Sequence, residues 1–433
     1  RGTNFHGYNP AMFSRVTDLL ERLLFILVLS ALLTYSTPPL TDQVGQVRTY
    51  TRQIEFDYLE WMTNAMGVKL RAGAAGLPGY LDRETRKEVV TEYLRVTQRI
   101  LEGEAALQRI YADASIQDKD SAAAALRSDL GQNYQRQKQL APLAESVLQE
   151  QVAQALSELG LTTLGQPIPS VLYHSTPLPN ALIVSKRGAI EQIANISINA
   201  DLTVDEVELL EARVDKRTGA SSLVVPIGGV GVYPTMVMQT TSLPWLVDTI
   251  AHEWIHNYLT QRPLGLLYDD TPELRTMNET TASIAGTEVG KYVIEHYYPE
   301  LAPKSWTPGL VSFPLDHPNP GDLPRPPFDF RAEMHLTRIT TDALLAEGKV
   351  DEAEAYMVER QQYFLRNGYL IRKLNQAYFA FYGAYADVPG GAAGEDPVGP
   401  AVRALREQSA SLADFVNRIA WMTSFETLQK AVQ

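Results

Sequence analysis

The sequence contains no cysteine. That excludes a disulfide scaffold, a thiolate zinc site, an iron–sulfur cluster and a cysteine nucleophile. Basic charge is also short: 38 Lys and Arg stand against 51 Asp and Glu, a net charge of −13 at pH 7. A grip on nucleic acid needs a basic surface, so that class is disfavoured. No internal repeat is found, which sets aside solenoids and propellers.

Apolar runs are short as well. Residues 23–33 read LLFILVLSALL, eleven positions without a charge, against the ~20 that span a bilayer. Charged groups near a helix end can snorkel, so a span from about Leu19 to Tyr35 reaches a workable length before Thr37-Pro38-Pro39 stops it. The expectation is a single membrane anchor in residues 1–40. Arg1, Arg15 and Arg22 precede it, and the next basic residues are Arg48 and Arg52. That asymmetry favours a catalytic body on the extracytoplasmic side.

What is present suits a globular body. In 433 residues, 45% are apolar and 21% charged, enough to bury a large core without staples. Tyr50, Ile54, Tyr58, Trp61 and Ala65 recur at helical spacing, as do Val89, Tyr93, Val96, Ile100 and Leu107. Residues 41–164 therefore read as a helical domain, with a role as spacer or protein-partner surface. From residue 165 short apolar stretches are divided by Pro, Asn and Gly, the pattern of strands, with a helix from Thr203 to Arg217 between them. Helices return after Leu243. A Pro-rich loop covers residues 299–327, and a last amphipathic helix lies near Leu412 to Val432.

The chemistry sits in His252-Glu253-Trp254-Ile255-His256. On a helix the two imidazoles are one turn apart and leave the same face, with Glu253 beside them. Ser242 and Pro244 mark the helix start. Val247, Ile250, Ala251, Trp254 and Tyr258 fall on the opposite side, so the helix buries its back and turns the histidines to a cleft. Two neutral imidazoles and a carboxylate side by side are costly without a cation. Zinc wants a third protein ligand and an open position for water. A metzincin would continue with a glycine and then a histidine, three and six positions after the second motif histidine. This chain has Leu259 and Arg262 at those places, which leaves a glutamate from the next helix. Glu279 and Glu288 compete. The Glu279 face carries Ala282, Ser283, Gly286 and Gly290, a stripe that permits close helix approach. Glu288 points about 180° away and is expected to pair with Lys291. Glu279 is chosen as the third ligand.

HEWIH followed by Asn278-Glu279-Thr280-Thr281-Ala282 on a second helix resembles the gluzincin group of zinc metallopeptidases. The likeness covers roughly residues 224–298, under a fifth of the chain. It implies zinc bound by His252, His256 and Glu279, Glu253 as general base toward a zinc-activated water, and residues 231–239 as the edge strand along a peptide substrate. The chain departs from the group in its longer gap between His256 and Glu279. It has Ser283 where thermolysin relatives carry an aspartate, and no Gly-x-Met-Glu-Asn segment.

The oxyanion donor is sought in a helix from Tyr369 to Tyr385, where Asn375, Tyr378 and Tyr382 form one stripe; Tyr378 and Tyr382 are the candidates. His335 and Arg331 are weaker ones, and Asp248 is expected to steady a ligand histidine. The expected fold class is α+β: an N-terminal membrane helix (1–40), a helical domain (41–164), a zincin-like catalytic domain with a small mixed sheet and active-site helices (165–300), and a helical C-terminal part (301–433). The expected function is a membrane-anchored zinc metallopeptidase, a hydrolase of a peptide or protein substrate. The competing readings are a catalytically silent zincin-fold subunit that assembles a membrane complex, a metal hydrolase acting on something other than peptides, and a metal-free anchor protein.

Overall fold

The computed structural model of the chain describes residues 24, 42–74, 77–112, 118–303, 328–385 and 391–433. They fall into two units, Arg1–Thr49 and Tyr50–Gln433. Helix α1 (Gln43–Thr51) crosses that boundary, and every element of the site belongs to the second unit.

Three helices follow: α2 (Tyr58–Ala74), α3 (Arg83–Ala112) and α4 (Lys119–Glu158). Asp118 caps α4 by accepting from the Ser121 amide at 3.0 Å, satisfying an amide that the helix itself leaves unpaired. Arg86 reaches Glu150, Arg99 reaches Asn133 and Tyr134 reaches Glu104, so α3 and α4 run antiparallel. Val90, Val96, Ile100, Leu148, Val152 and Leu156 fill the seam.

The β part is small. One antiparallel sheet has the order β3 (Gln192–Ile198), β2 (Asn180–Lys186), β4 (Ala220–Pro226). Helix α5 (Val204–Thr218) connects β3 to β4 and starts at Thr203 with a reciprocal cap to Glu206, the arrangement a Thr-x-x-Glu sequence encodes. A second sheet has the order β1 (Tyr173–Ser175), β6 (Thr235–Val237), β5 (Gly229–Val230). β1 and β6 are parallel, β6 and β5 antiparallel.

The chain then returns to helices: α6 (Leu243–Leu259), α7 (Pro263–Leu266), α8 (Pro272–Tyr297), α9 (Phe330–Ala346), α10 (Val350–Arg366), α11 (Gln376–Tyr382), α12 (Val398–Gln408), α13 (Leu412–Ile419) and α14 (Phe425–Val432). One apolar core joins α3, α4, α6, α8 and α12–α14. A second joins β2 and β4 to α9, α10 and α11 through Ile183, Leu223, Met357, Phe364 and Phe379.

Three expectations are corrected. The chain is mostly helical with two small sheets rather than α+β in the expected proportion. No helix among the described residues is long and apolar enough to cross a membrane, so the N-terminal membrane helix is not supported. An eleven-residue apolar run is about half of what a bilayer demands. Within 1–40 only Leu24 is described, and the rest of that segment lies outside the described residues, as does most of the Pro-rich loop (304–327). The expected last helix is two, because Ser424 caps a new one.

Candidate metal centre and cleft

Helix α6 starts where Ser242 accepts from the Trp245 amide, with Pro244 in the first turn. It is buried on nearly every side. Trp254 Nε1 donates to the Pro169 carbonyl at 2.7 Å and Tyr258 Oη donates to Asn417 at 2.6 Å, so its back is fixed by packing and by hydrogen bonds. Helix α8 is capped by Thr271, which accepts from the Leu274 amide. The two helices cross at close range because the facing positions on α8 have almost no side chain. A Cβ at Gly286 would lie 2.8 Å from Asp248 Oδ1 and 3.0 Å from the His252 Cβ. At Gly290 it would lie 3.1 Å from the Asp248 backbone. Any larger residue at either position would push the helices apart.

That approach brings three ligand atoms together. His252 Nε2 and His256 Nε2 are 3.0 Å apart. Glu279 Oε2 is 3.5 Å from the first and 3.4 Å from the second. Ligands bonded at ~2.0–2.1 Å to a tetrahedral zinc stand roughly 3.3–3.4 Å from one another. The triangle thus has the size of one face of a zinc coordination tetrahedron. His252, His256 and Glu279 can hold a metal ion.

Neighbouring side chains aim these atoms. His256 Nδ1 lies 2.8 Å from Asn278 Oδ1, and Asn278 Nδ2 donates to the Leu264 carbonyl at 3.3 Å. The amide oxygen can only accept, so Nδ1 carries the proton and the Nε2 lone pair faces the ligand triangle. Tyr268 Oη donates to Glu279 Oε1 in a short contact, leaving Oε2 for the triangle. Glu279 Oε2 is buried and has no hydrogen-bond partner among the described residues. A desolvated carboxylate oxygen in that state calls for positive charge. The electrostatics agree. Burial opposes charge on His256, but the adjacent Glu279 carboxylate outweighs it and raises the imidazole to about 9, so without a metal cation the carboxylate draws a proton onto this ring, and Nε2 presents its lone pair only once that proton is displaced. Burial likewise opposes charge on Glu279, and the two imidazoles hold it well below the usual carboxylate range. Burial keeps His252 below its ordinary value, favouring the neutral form a ligand needs.

Glu253 is buried beside the triangle, and desolvation pushes its carboxyl up to about 7. Backbone from residues 228–231 passes directly over it. A Cβ at Gly229 would collide with Glu253 Oε1, and one at Gly231 would sit 3.1 Å from the His256 Cβ. A side chain at Gly229 would have to displace the Glu253 carboxylate, and one at Gly231 would crowd His256. This segment contains β5, which is the edge of its sheet. The expected edge, residues 231–239, is corrected: β6 lies in the centre, between β1 and β5.

The cleft has a volume of about 310 Å³. Besides the motif residues, Tyr58, Ala181, Ser197, Tyr268, Phe381 and Tyr385 line it. The ring of Tyr385 stacks on His252 with centroids 6.4 Å apart. Burial and the charges of Glu279 and Glu253 hold its phenol well above the ordinary value.

The structure therefore brings His252, Glu253, His256 and Glu279 together. Tyr378 and Tyr382 are not among the described residues that line the cleft; Tyr378 is in the second core and Tyr382 packs against it. The expected helix to Tyr385 is shorter, because α11 ends at Tyr382 with Gly383 as its cap. Tyr385, three residues past the end of α11, is the tyrosine of this stretch that lines the cleft. Asn375 is the N-cap of α11, accepting from the Tyr378 amide at 3.0 Å. His335 contacts Glu395, and Arg331 is exposed on α9. Asp248 accepts from Thr287 at 3.2 Å; His252 Nδ1 has no hydrogen-bond partner among the described residues. Glu288 forms a two-pronged pair with Arg406 of α12 at 2.7 and 2.8 Å, while Lys291 pairs with Glu295.

Asn278 was open to discovery in the sequence as the neighbour of a ligand. Tyr268, in the connection between two helices, carries no periodic signal; Tyr58 stands in the helical pattern of residues 50–65, which says nothing of the distant cleft it lines. No family model matches the chain, and neither a curated protein nor a solved structure matches it.

Proposed function

We propose that the chain is a zinc-dependent hydrolase of peptide bonds, with a catalytic set similar to that of the gluzincins. The observation that carries this reading is the triangle of His252 Nε2, His256 Nε2 and Glu279 Oε2, sized for tetrahedral zinc and set beside the buried Glu253. Two imidazoles and one carboxylate are a donor set that suits zinc. A divalent cation there supplies Lewis-acid polarisation of a carbonyl oxygen and makes water more acidic.

The other tasks fall to the chain's own groups. Asn278 and Tyr268 orient two ligands, so they arrive in place before any substrate does. The Glu253 carboxylate is positioned to take a proton from water and to return it to the leaving nitrogen. Tyr385 retains its phenolic proton, so its hydroxyl is a donor available to a carbonyl oxygen that gains charge. The strand edge at Gly229–Val230 supports peptide as the substrate, since an extended chain can pair with backbone right beside the base.

A digest of a broad peptide library tests the reading. Cleavage is expected to stop with a chelator and to return when zinc is added back. Cleavage indifferent to chelation, or none by the zinc-loaded protein, contradicts it.

A further inference from the structure

One wall of the cleft comes from outside the motif helices, and the roles assigned above leave it unused. Residues 54–56 lie along the outer edge of β3. The Phe56 amide donates to the Ser197 carbonyl at 3.0 Å, and the Asn199 amide donates to the Ile54 carbonyl at 2.8 Å. This short strap delivers Tyr58, the first residue of α2, into the cleft that Glu253 and the ligand triangle share. Its ring is fixed at both ends. Phe56 packs edge-on against it at 5.0 Å, and its hydroxyl donates to Ser197 Oγ at 2.7 Å.

The cleft is lined by small residues, among them Ala181, Ser197 and the glycines at 228, 229 and 231, and by the larger Ile227, Phe381 and Tyr385. An aromatic ring held at both ends takes up room in that cleft beside Glu253.

We propose that Tyr58 is a specificity-determining residue: it sets an upper size on the substrate side chain next to the cleaved bond and selects small residues there. This rests on the peptidase reading, and it gives the helical part of the chain a share in the site. One methylene group in a snug pocket is worth about 10- to 200-fold in discrimination, so loss of a whole ring has a readable effect.

The test uses the full chain, a zinc-loaded preparation and a set of peptides that differ only at one flanking residue (Ala, Leu, Phe, Trp, Lys, Glu). Wild type is expected to prefer Ala. Tyr58→Ala is expected to raise the ratio of kcat/KM for the Phe and Trp peptides to that for the Ala peptide by about 10-fold or more. Tyr58→Phe keeps the ring and should keep the wild-type preference. Calorimetric binding of the same peptides to the Glu253→Gln background gives a readout without turnover and should show the same reordering. An unchanged size preference in Tyr58→Ala, by binding as well as by cleavage, overturns the proposal while leaving the peptidase reading intact. Binding of every peptide with no cleavage of any by the zinc-loaded wild type overturns the peptidase reading instead, and the binding series still decides for or against Tyr58.

Discussion

Glu253→Gln should retain the full metal complement and lose peptide hydrolysis by roughly 10²- to 10⁴-fold, the contribution of a positioned base. The side chain is not one of the three that face each other in the ligand triangle, so its charge can be removed without removing a ligand. Glutamine has the same shape, which matters under the glycine segment, where a bulkier residue would meet the backbone of residues 229–231. Loss should be in kcat more than in KM, since proton transfer is a transition-state interaction. Metal content by mass spectrometry and initial rates on one cleaved peptide settle it. A variant with full metal and wild-type rate removes Glu253 from the mechanism.

The largest effect on stability is expected far from the motif. Glu145 of α4 is wholly buried and forms a short ion pair with Lys69 of α2, itself only 6% exposed. The same carboxylate accepts from the Ser175 amide at 2.9 Å and lies 3.0 Å from His174 Nδ1. Burial opposes its charge, but Lys69 and His174 outweigh burial and keep its pKa low. Lys69→Met leaves that carboxylate without its ammonium in a low-dielectric interior, and a cost of about 3–5 kcal/mol follows. Replacing both partners by apolar residues, Lys69→Met with Glu145→Leu, should recover much of it, because the uncompensated charge is then gone. Urea unfolding of the wild type, the single and the double variant reads the difference. A single variant within about 1 kcal/mol of wild type would show that the pair adds nothing. The contact also ties α2 to β1, which pairs with β6 and so holds β5 over Glu253.

The parts of the site readable in the sequence are those governed by short-range periodicity. His252 and His256 are one turn apart on one helix, so their common face follows from helix geometry alone. Glu279 could be chosen over Glu288 because Gly286 and Gly290 share its face, and the structure shows those glycines against Asp248 and His252. What the sequence hid depends on where the chain turns. Tyr385 lies past the Gly383 cap of α11, and helical spacing alone does not separate it from Tyr378 and Tyr382, which sit in or against the second core. Tyr268 reaches Glu279 from a connection with no period, and Tyr58 arrives through strand pairing with a segment about 140 residues away. The fold class was overstated for a related reason. Several apolar stretches became strands of only two or three residues, while the long amphipathic runs became the helices that make up most of the body.

Everything proposed for the chain depends on one cation shared by His252, His256 and Glu279. Metal analysis of the purified chain, in wild type and in Glu279→Ala, tests it most directly. About one zinc per chain is expected in wild type, with two nitrogen ligands and one carboxylate oxygen by X-ray absorption, and near-complete loss in the variant. A wild-type chain that takes up no divalent metal, or a Glu279→Ala chain that holds zinc as tightly as wild type, would contradict it.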